Sequence, residues 1–132
     1  MLIVLDTDVL IDHFRGLEAA RSYIQSIPVA RRATTDITLM ELFKGATGRQ
    51  ELESIEAFLE RNLFVILPLT ASASRRGVQL LKQYVLSHGL SIPDALIAGI
   101  VLESGGQLVT GNKRHFEFID GLAVNVPPYR MA

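Results

Sequence analysis

The stretch MLIVLDTDVLID sets Asp6, Asp8 and Asp12 within seven residues, directly behind a run of apolar side chains. A stable core has no need of carboxylates there. Two more acids stand in unexpected surroundings: Glu41 inside the apolar string ITLMELF, and Asp94 just after Pro93 in LSIPDALIAG. Glu41 is expected to be largely enclosed, and an enclosed carboxylate costs several kcal/mol unless something answers its charge. That answer is either a functional cation or a plain salt bridge to an arginine. Asp94 alone reads as ordinary helix capping, because acids near a helix N-terminus stabilise by about 0.3–1 kcal/mol. Asp6, Glu41 and Asp94 nevertheless lie on three separate segments, and scattered acids of this kind can converge. Two carboxylates ~5 Å apart repel by about 3 kcal/mol at an effective dielectric of about 20. A hard divalent cation removes that repulsion, and an all-oxygen site with room for water and a phosphate suits Mg2+ or Mn2+.

Such convergence needs a scaffold that brings segment ends to one edge. Leu2–Leu5 is an apolar run of strand length, suited to a strand buried on both faces in a parallel sheet, with Asp6 at its carboxyl end. Asp8 is expected to cap a helix through Phe14, which Gly16 breaks. LEAARSYIQSI has helical spacing and stops at Pro28, and a short strand is expected around Ala33–Thr35. Asp36 then reads as the N-cap of a helix closed by Gly45, and RQELESIEAFLERN as a further helix. Phe64–Leu67 is a strand ended by Pro68. A long helix starts at Thr70 or Ser72 and breaks at Gly89, and another runs from Ser91 and Pro93 to the Gly105–Gly106 pair. QLVTG is a strand, NKRHFEF a helical turn and LAVNV a last strand. Strands alternating with helices indicate an α/β fold with a mainly parallel sheet, in which functional groups gather at the carboxyl strand ends. Thr110 and Asn112 share that edge with Asp6.

Composition narrows the chemistry further. The 132 residues are 48% hydrophobic and 20% charged, which fits one compact domain over residues 1–132. The sequence holds no cysteine, so thiol catalysis, disulfides and sulfur-ligated metals are excluded. A net charge of −1 supplies no general basic field for nucleic acid. The pairs Arg31–Arg32, Arg75–Arg76 and Lys113–Arg114 are expected to be solvated surface, with phosphate contact a lesser alternative. His13, His88 and His115 lack the spacing of a zinc pair. The start of the chain does not read as a signal peptide and no apolar run reaches the ~20 residues of a membrane span, so the expected location is cytoplasmic.

LDTDVLID, TLMELFKG, IPDALIAG and LVTGNKRHF, in this order and spacing, resemble the PIN-domain ribonucleases, in particular the VapC-type toxins of bacterial toxin-antitoxin pairs. The similarity spans nearly the whole chain. It implies a PIN-like three-layer α/β/α fold with a central, mainly parallel sheet. It also implies that Asp6, Glu41 and Asp94 form the catalytic site, with Asp6 and Asp94 holding Mg2+ or Mn2+ and Thr7 and Thr110 supporting them. Asn112 stands where that family often carries a fourth acid. The implied reaction is metal-assisted hydrolysis of phosphodiester bonds in single-stranded RNA or an exposed RNA loop. The implied partners are a cognate VapB-type antitoxin, a second copy in a homodimer, and a toxin-antitoxin hetero-oligomer. LEAARSYIQSI and LESIEAFLERNL are candidates for the antitoxin groove or the homodimer surface, or for plain core packing.

Three other readings fit less of the chain. LDTDV imitates the start of haloacid-dehalogenase-type phosphotransferases, but Asp94 precedes Thr110 where that order needs later acids. A phosphoreceiver-like module needs an acceptor aspartate ending a central strand, and FVILPLT has none. A catalytically inactive PIN-fold module that binds RNA or protein keeps every motif and loses only the chemistry.

Overall fold

The computed structural model describes residues 1–62 and 64–131. Its five strands are β1 (Ile3–Leu5), β2 (Arg32–Thr35), β3 (Val65–Leu67), β4 (Gln107–Val109) and β5 (Val124–Asn125). Six α-helices occur among the described residues: α1 (Thr7–Phe14), α2 (Glu18–Ser26), α3 (Asp36–Lys44), α4 (Arg49–Arg61), α5 (Ala71–His88) and α6 (Ile92–Ser104). The strands pair in the order β3-β2-β1-β4-β5 and every pair is parallel. Parallel neighbours require a crossover between them: α-helices follow β1, β2 and β3, and a segment with a short 3-10 turn, Lys113–His115, links β4 to β5.

Alternation along the short strands divides the core in two. Val4 and Leu108 face one layer with Ala73, Leu80, Ile97, Val101 and Phe116, whereas Leu5 and Val109 face the other with Leu10, Ile24, Phe58 and Leu59. Side chains one residue apart on a strand point to opposite faces, so each central strand serves both layers. The result is the three-layer α/β/α sandwich with a parallel sheet. In one layer α5 and α6 pack closely: a Cβ on Gly99 would lie 2.6 Å from the Ala73 carbonyl oxygen, so only glycine permits the approach.

Local chemistry sets most element ends where expected. Thr70 caps α5 by accepting from Ala73 N–H at 3.0 Å, Ser91 caps α6 through Asp94 N–H at 3.2 Å, and Gly89 and Gly105 end these helices at φ +65° and +71°. Two caps differ. Asp6, not Asp8, caps α1: its backbone is still extended at the end of β1 and its Oδ1 accepts from Thr7 N–H at 2.8 Å. Likewise Thr35, not Asp36, caps α3, with Thr38 N–H donating to Thr35 Oγ1 at 3.1 Å. Asp36 is the first helical residue, and its Oδ2 accepts from Leu69 N–H at 3.2 Å.

The expectation that Arg31–Arg32 is solvated surface fails at Arg32, which is 6% exposed. Its guanidinium donates to the carbonyls of Ile27, Asn62 and Gln25 at 3.0, 3.2 and 3.3 Å, tying α2 and the end of α4 to β2. The last residue of LESIEAFLERNL, Leu63, lies outside the described residues. No described helix is long and apolar enough to cross a membrane.

Candidate functional site

Because β1 and β4 are neighbours in the sheet, their carboxyl ends meet. Asp6 follows β1 and Thr110 follows β4, and Thr110 Oγ1 donates to Asp6 Oδ2 at 2.7 Å across 104 residues of sequence. Asp6 is 7% exposed and Thr110 fully buried. The position of α1 starting at Asp6 places Thr7 one step outward, where its hydroxyl donates to Glu41 Oε1 of α3 at 2.6 Å. Asn112 N–H donates to Thr110 Oγ1 at 3.0 Å, which holds the loop after β4 against the same edge. Asp94 enters from the first turn of α6, and His115 Nδ1 lies 3.5 Å from its Oδ2.

The electrostatics of this edge are those of acids that face one another. Burial pushes the Asp6 carboxyl up from its ordinary 3.8 to about 6; the hydrogen bonds from Thr110 and Thr7 oppose this, and the charges of Asp8 and Asp94 add to it. Burial also raises Asp94, with His115 opposing and Glu41 and Asp8 contributing repulsion. Asp8 is raised by burial too, against the pull of Arg130. Raised carboxyls at a strand edge mark a place where negative charge is held at a cost.

Two assignments made from sequence change here. Glu41 is exposed rather than enclosed, and among the described residues no arginine pairs with it. It stands on the wall of a groove of about 480 Å³ between α1, α3 and α4, with Ile11, Phe14, Leu42 and Ile55 as apolar lining. Asp8, taken as a cap, belongs to the acidic edge: its Oδ2 accepts from Gly111 N–H at 2.8 Å and from Asn112 Nδ2 at 3.3 Å, while its Oδ1 is buried with no partner. Asp12 pairs with Arg130, which grips it through Nε and Nη2 at 2.8 and 2.9 Å. Sequence reasoning did not connect His115 with Asp94 and passed over Arg130. Their partners are more than twenty and more than one hundred residues distant, so no local spacing signals them.

The donor set of this edge is carboxylate, hydroxyl and amide oxygen, with an orphaned carboxylate oxygen on Asp8. Such a set fits a hard divalent cation. Among the described residues no group of three or more His, Asp or Glu side chains converges tightly enough to enclose a metal ion. Mg2+ needs only one or two protein carboxylates, with water completing its shell.

Comparison with known proteins places the whole chain. Residues 3–122 match the family described as PIN domain. The chain is 30% identical over 129 residues to ribonuclease VapC19 of Mycobacterium tuberculosis, covering 96% of this chain and 98% of that protein. Among solved structures it resembles the DNA-bound VapBC of Salmonella typhimurium at a TM-score of 0.80 and 28% identity, covering 96% of this chain and 98% of that one. A toxin-antitoxin complex from Klebsiella pneumoniae superposes at a TM-score of 0.78 and 28% identity, with 95% and 97% covered.

Proposed function

The chain belongs to the PIN domain family, and on that premise we propose that it is an endoribonuclease toxin whose acidic edge hydrolyses RNA and whose activity a VapB-type antitoxin restrains. The observation that carries the reading is Asp6: a nearly buried carboxyl, pushed up to about 6, joined by hydrogen bond to Thr110 and facing the charges of Asp8 and Asp94. A fold tolerates that cost where a cation is to be received.

Asp6 and Asp94 are the residues that would hold Mg2+ or Mn2+. When bound, the cation supplies charge neutralisation at the scissile phosphate and acidifies the attacking water. Thr110 fixes the Asp6 carboxylate through its Oδ2, and the Thr7 amide fixes it through Oδ1. Thr7 orients Glu41, whose free oxygen is exposed to the groove and accepts a proton from water as it attacks phosphorus in line. One P–O ester bond breaks as the new P–O bond forms, leaving one RNA end with a phosphate and the other with a hydroxyl. Lys113 and Arg114 are exposed beside Asn112 and suit contacts to the backbone of single-stranded RNA. The groove beside Glu41 combines an apolar lining with Arg15, Glu41 and Glu51, which suits an antitoxin segment carrying apolar side chains and charges of both signs.

The test is cleavage of single-stranded RNA by the purified protein in Mg2+ and in Mn2+, with product ends mapped, beside Asp6→Asn and Asp94→Asn. Metal-dependent cleavage by the wild type and none by either variant supports the reading. Unchanged cleavage by both variants removes the site from the chemistry, and RNA binding without cleavage across metals returns the chain to the inactive-module reading. The toxin half of the proposal is read by growth: expression of this chain alone slows growth, Asp6→Asn does not, and the cognate antitoxin relieves the effect.

A further inference from the structure

Arg130 brings a guanidinium to the acidic edge. Arg130 sits in a short 3-10 turn, Pro128–Arg130, that packs back on α2 and α1. Its side chain forms a fork on Asp12 at 2.8 and 2.9 Å, and Tyr129 donates its hydroxyl to the same carboxylate at 2.8 Å. The Tyr129 ring also meets Tyr23 of α2, with centroids 6.1 Å apart. The remaining nitrogen, Nη1, reaches Asp8 Oδ2 at 3.7 Å. That oxygen is the one that receives the Gly111 amide and the Asn112 side-chain amide. Both groups pack so close to Gly111 that a Cβ there would meet Arg130 Nη1 and Asp8 Oδ2.

We infer that Arg130 is a positioning residue for the acidic edge: anchored on Asp12, it holds Asp8 against Gly111 and Asn112 and so fixes the loop from which Thr110 holds Asp6. The path is continuous in the structure. Arg130 meets Asp8, Asp8 accepts from Gly111 and Asn112, the Asn112 amide donates to Thr110 Oγ1, and Thr110 donates to Asp6. A different role, a cationic anchor for RNA phosphate, is disfavoured by charge. The guanidinium is engaged by two aspartates and its side chain is 34% exposed, so a phosphate would compete with ligands already paid in geometry and desolvation. A bidentate fork also holds direction, which a lysine ammonium does not.

The inference rests on the proposed ribonuclease reading for its kinetic consequence, though not for its geometry. The experiment compares wild type, Arg130→Gln, Arg130→Lys and Asp12→Asn by steady-state cleavage of a single-stranded RNA oligonucleotide in Mg2+, by thermal melting, and by the Gly111 amide resonance in 15N-labelled protein. Loss of an outer partner that orients a site group lowers activity by about 10–100-fold, so Arg130→Gln should lower kcat by at least about tenfold with KM changed less than about twofold. Asp12→Asn should move kcat the same way, because it frees the fork, and Arg130→Lys should fall between it and wild type. In all three the Gly111 amide should shift and exchange faster. A raised KM with kcat intact makes Arg130 a phosphate anchor and overturns the inference, as does an unchanged kcat in folded Arg130→Gln. If Arg130→Gln does not fold, Arg130→Lys decides by the same criteria. If the wild type cleaves no RNA, the ribonuclease reading fails by itself, and the Gly111 amide decides the positioning: unchanged in Arg130→Gln and Asp12→Asn, it overturns the inference; displaced in both, it upholds it.

Discussion

Asp6→Asn should make the metal-free protein more stable while abolishing its cleavage of RNA. The carboxyl of Asp6 titrates at about 6 in the fold, against 3.8 when it is not buried. The folded state therefore binds this proton more tightly than the unfolded state does, and stability falls as pH rises between the two values. Below pH 3.8 the penalty is absent; above about pH 6 it is complete. A gap of roughly two pH units corresponds to about 3 kcal/mol at ~1.4 kcal/mol per unit. Asparagine removes the charge but keeps only one oxygen for the Thr7 amide and the Thr110 hydroxyl, and the poorer hydrogen bond costs about 1 kcal/mol. The net gain above pH 7 is then about 1–3 kcal/mol, or roughly 4 °C in melting temperature per kcal/mol for a chain of this size. At pH 4.5 most of the gain should vanish, since Asp6 is already protonated in the fold. Melting curves of both proteins in chelator, from pH 4 to 8, measure this directly, and added Mg2+ should raise the wild type alone. Parallel pH profiles for the two proteins, or a variant no more stable than wild type at pH 8, would refute the account of Asp6 as a charge held at a cost.

Glu41 is exposed, so Glu41→Gln should leave the melting temperature within the ~0.5 kcal/mol range of surface changes while removing RNA cleavage, measured on the same preparation. Asn112→Asp sets a carboxylate where an amide now donates to Asp8, and should lower metal-free stability while tightening Mg2+ binding; melts in chelator and calorimetric titration read the two effects. Arg32→Met strands the buried Ile27 carbonyl and two half-buried ones and should cost about 2–4 kcal/mol in urea unfolding, with the cleavage mechanism untouched. Gly99→Ala drives a methyl into the Ala73 carbonyl and should cost about 1–3 kcal/mol, seen as a lower urea midpoint.

The parts of this molecule that sequence exposes are those decided by near neighbours. Thr70, Ser91, Gly89 and Gly105 act within their own helix ends, and the apolar runs at β1 and β4 need only a strand's length to declare themselves. The choice between Thr35 and Asp36 as cap was not legible, because both side chains can cap and the winner is set by where β2 stops pairing. Glu41 misled for a similar reason: apolar residues surround it in sequence, but Met40 beside it is 55% exposed and that face of α3 borders a groove. Arg32 looked like surface because its carbonyl partners are contributed by Gln25, Ile27 and Asn62, which only the folded chain assembles. The motifs chose residues that the sheet does bring to one edge. What they could not supply was the wiring, since Asp8 to Gly111, Asp12 to Arg130 and Asp94 to His115 are all contacts between segments that know nothing of each other in the linear chain.

The placement of β1 between β2 and β4 has a temporal meaning as well as a spatial one. The strand made first finds one neighbour early, in β2, and the other only after residue 107 exists. Asp6 therefore remains without its Thr110 hydroxyl, and the acidic edge without the loop through Asn112, for most of the time the ribosome takes to make the chain. A growing polypeptide of this topology carries its aspartate from the start but not the pocket wall that arms it. In a protein that attacks RNA, this sheet order postpones the meeting of Asp6 and Thr110 until almost the whole chain has been made.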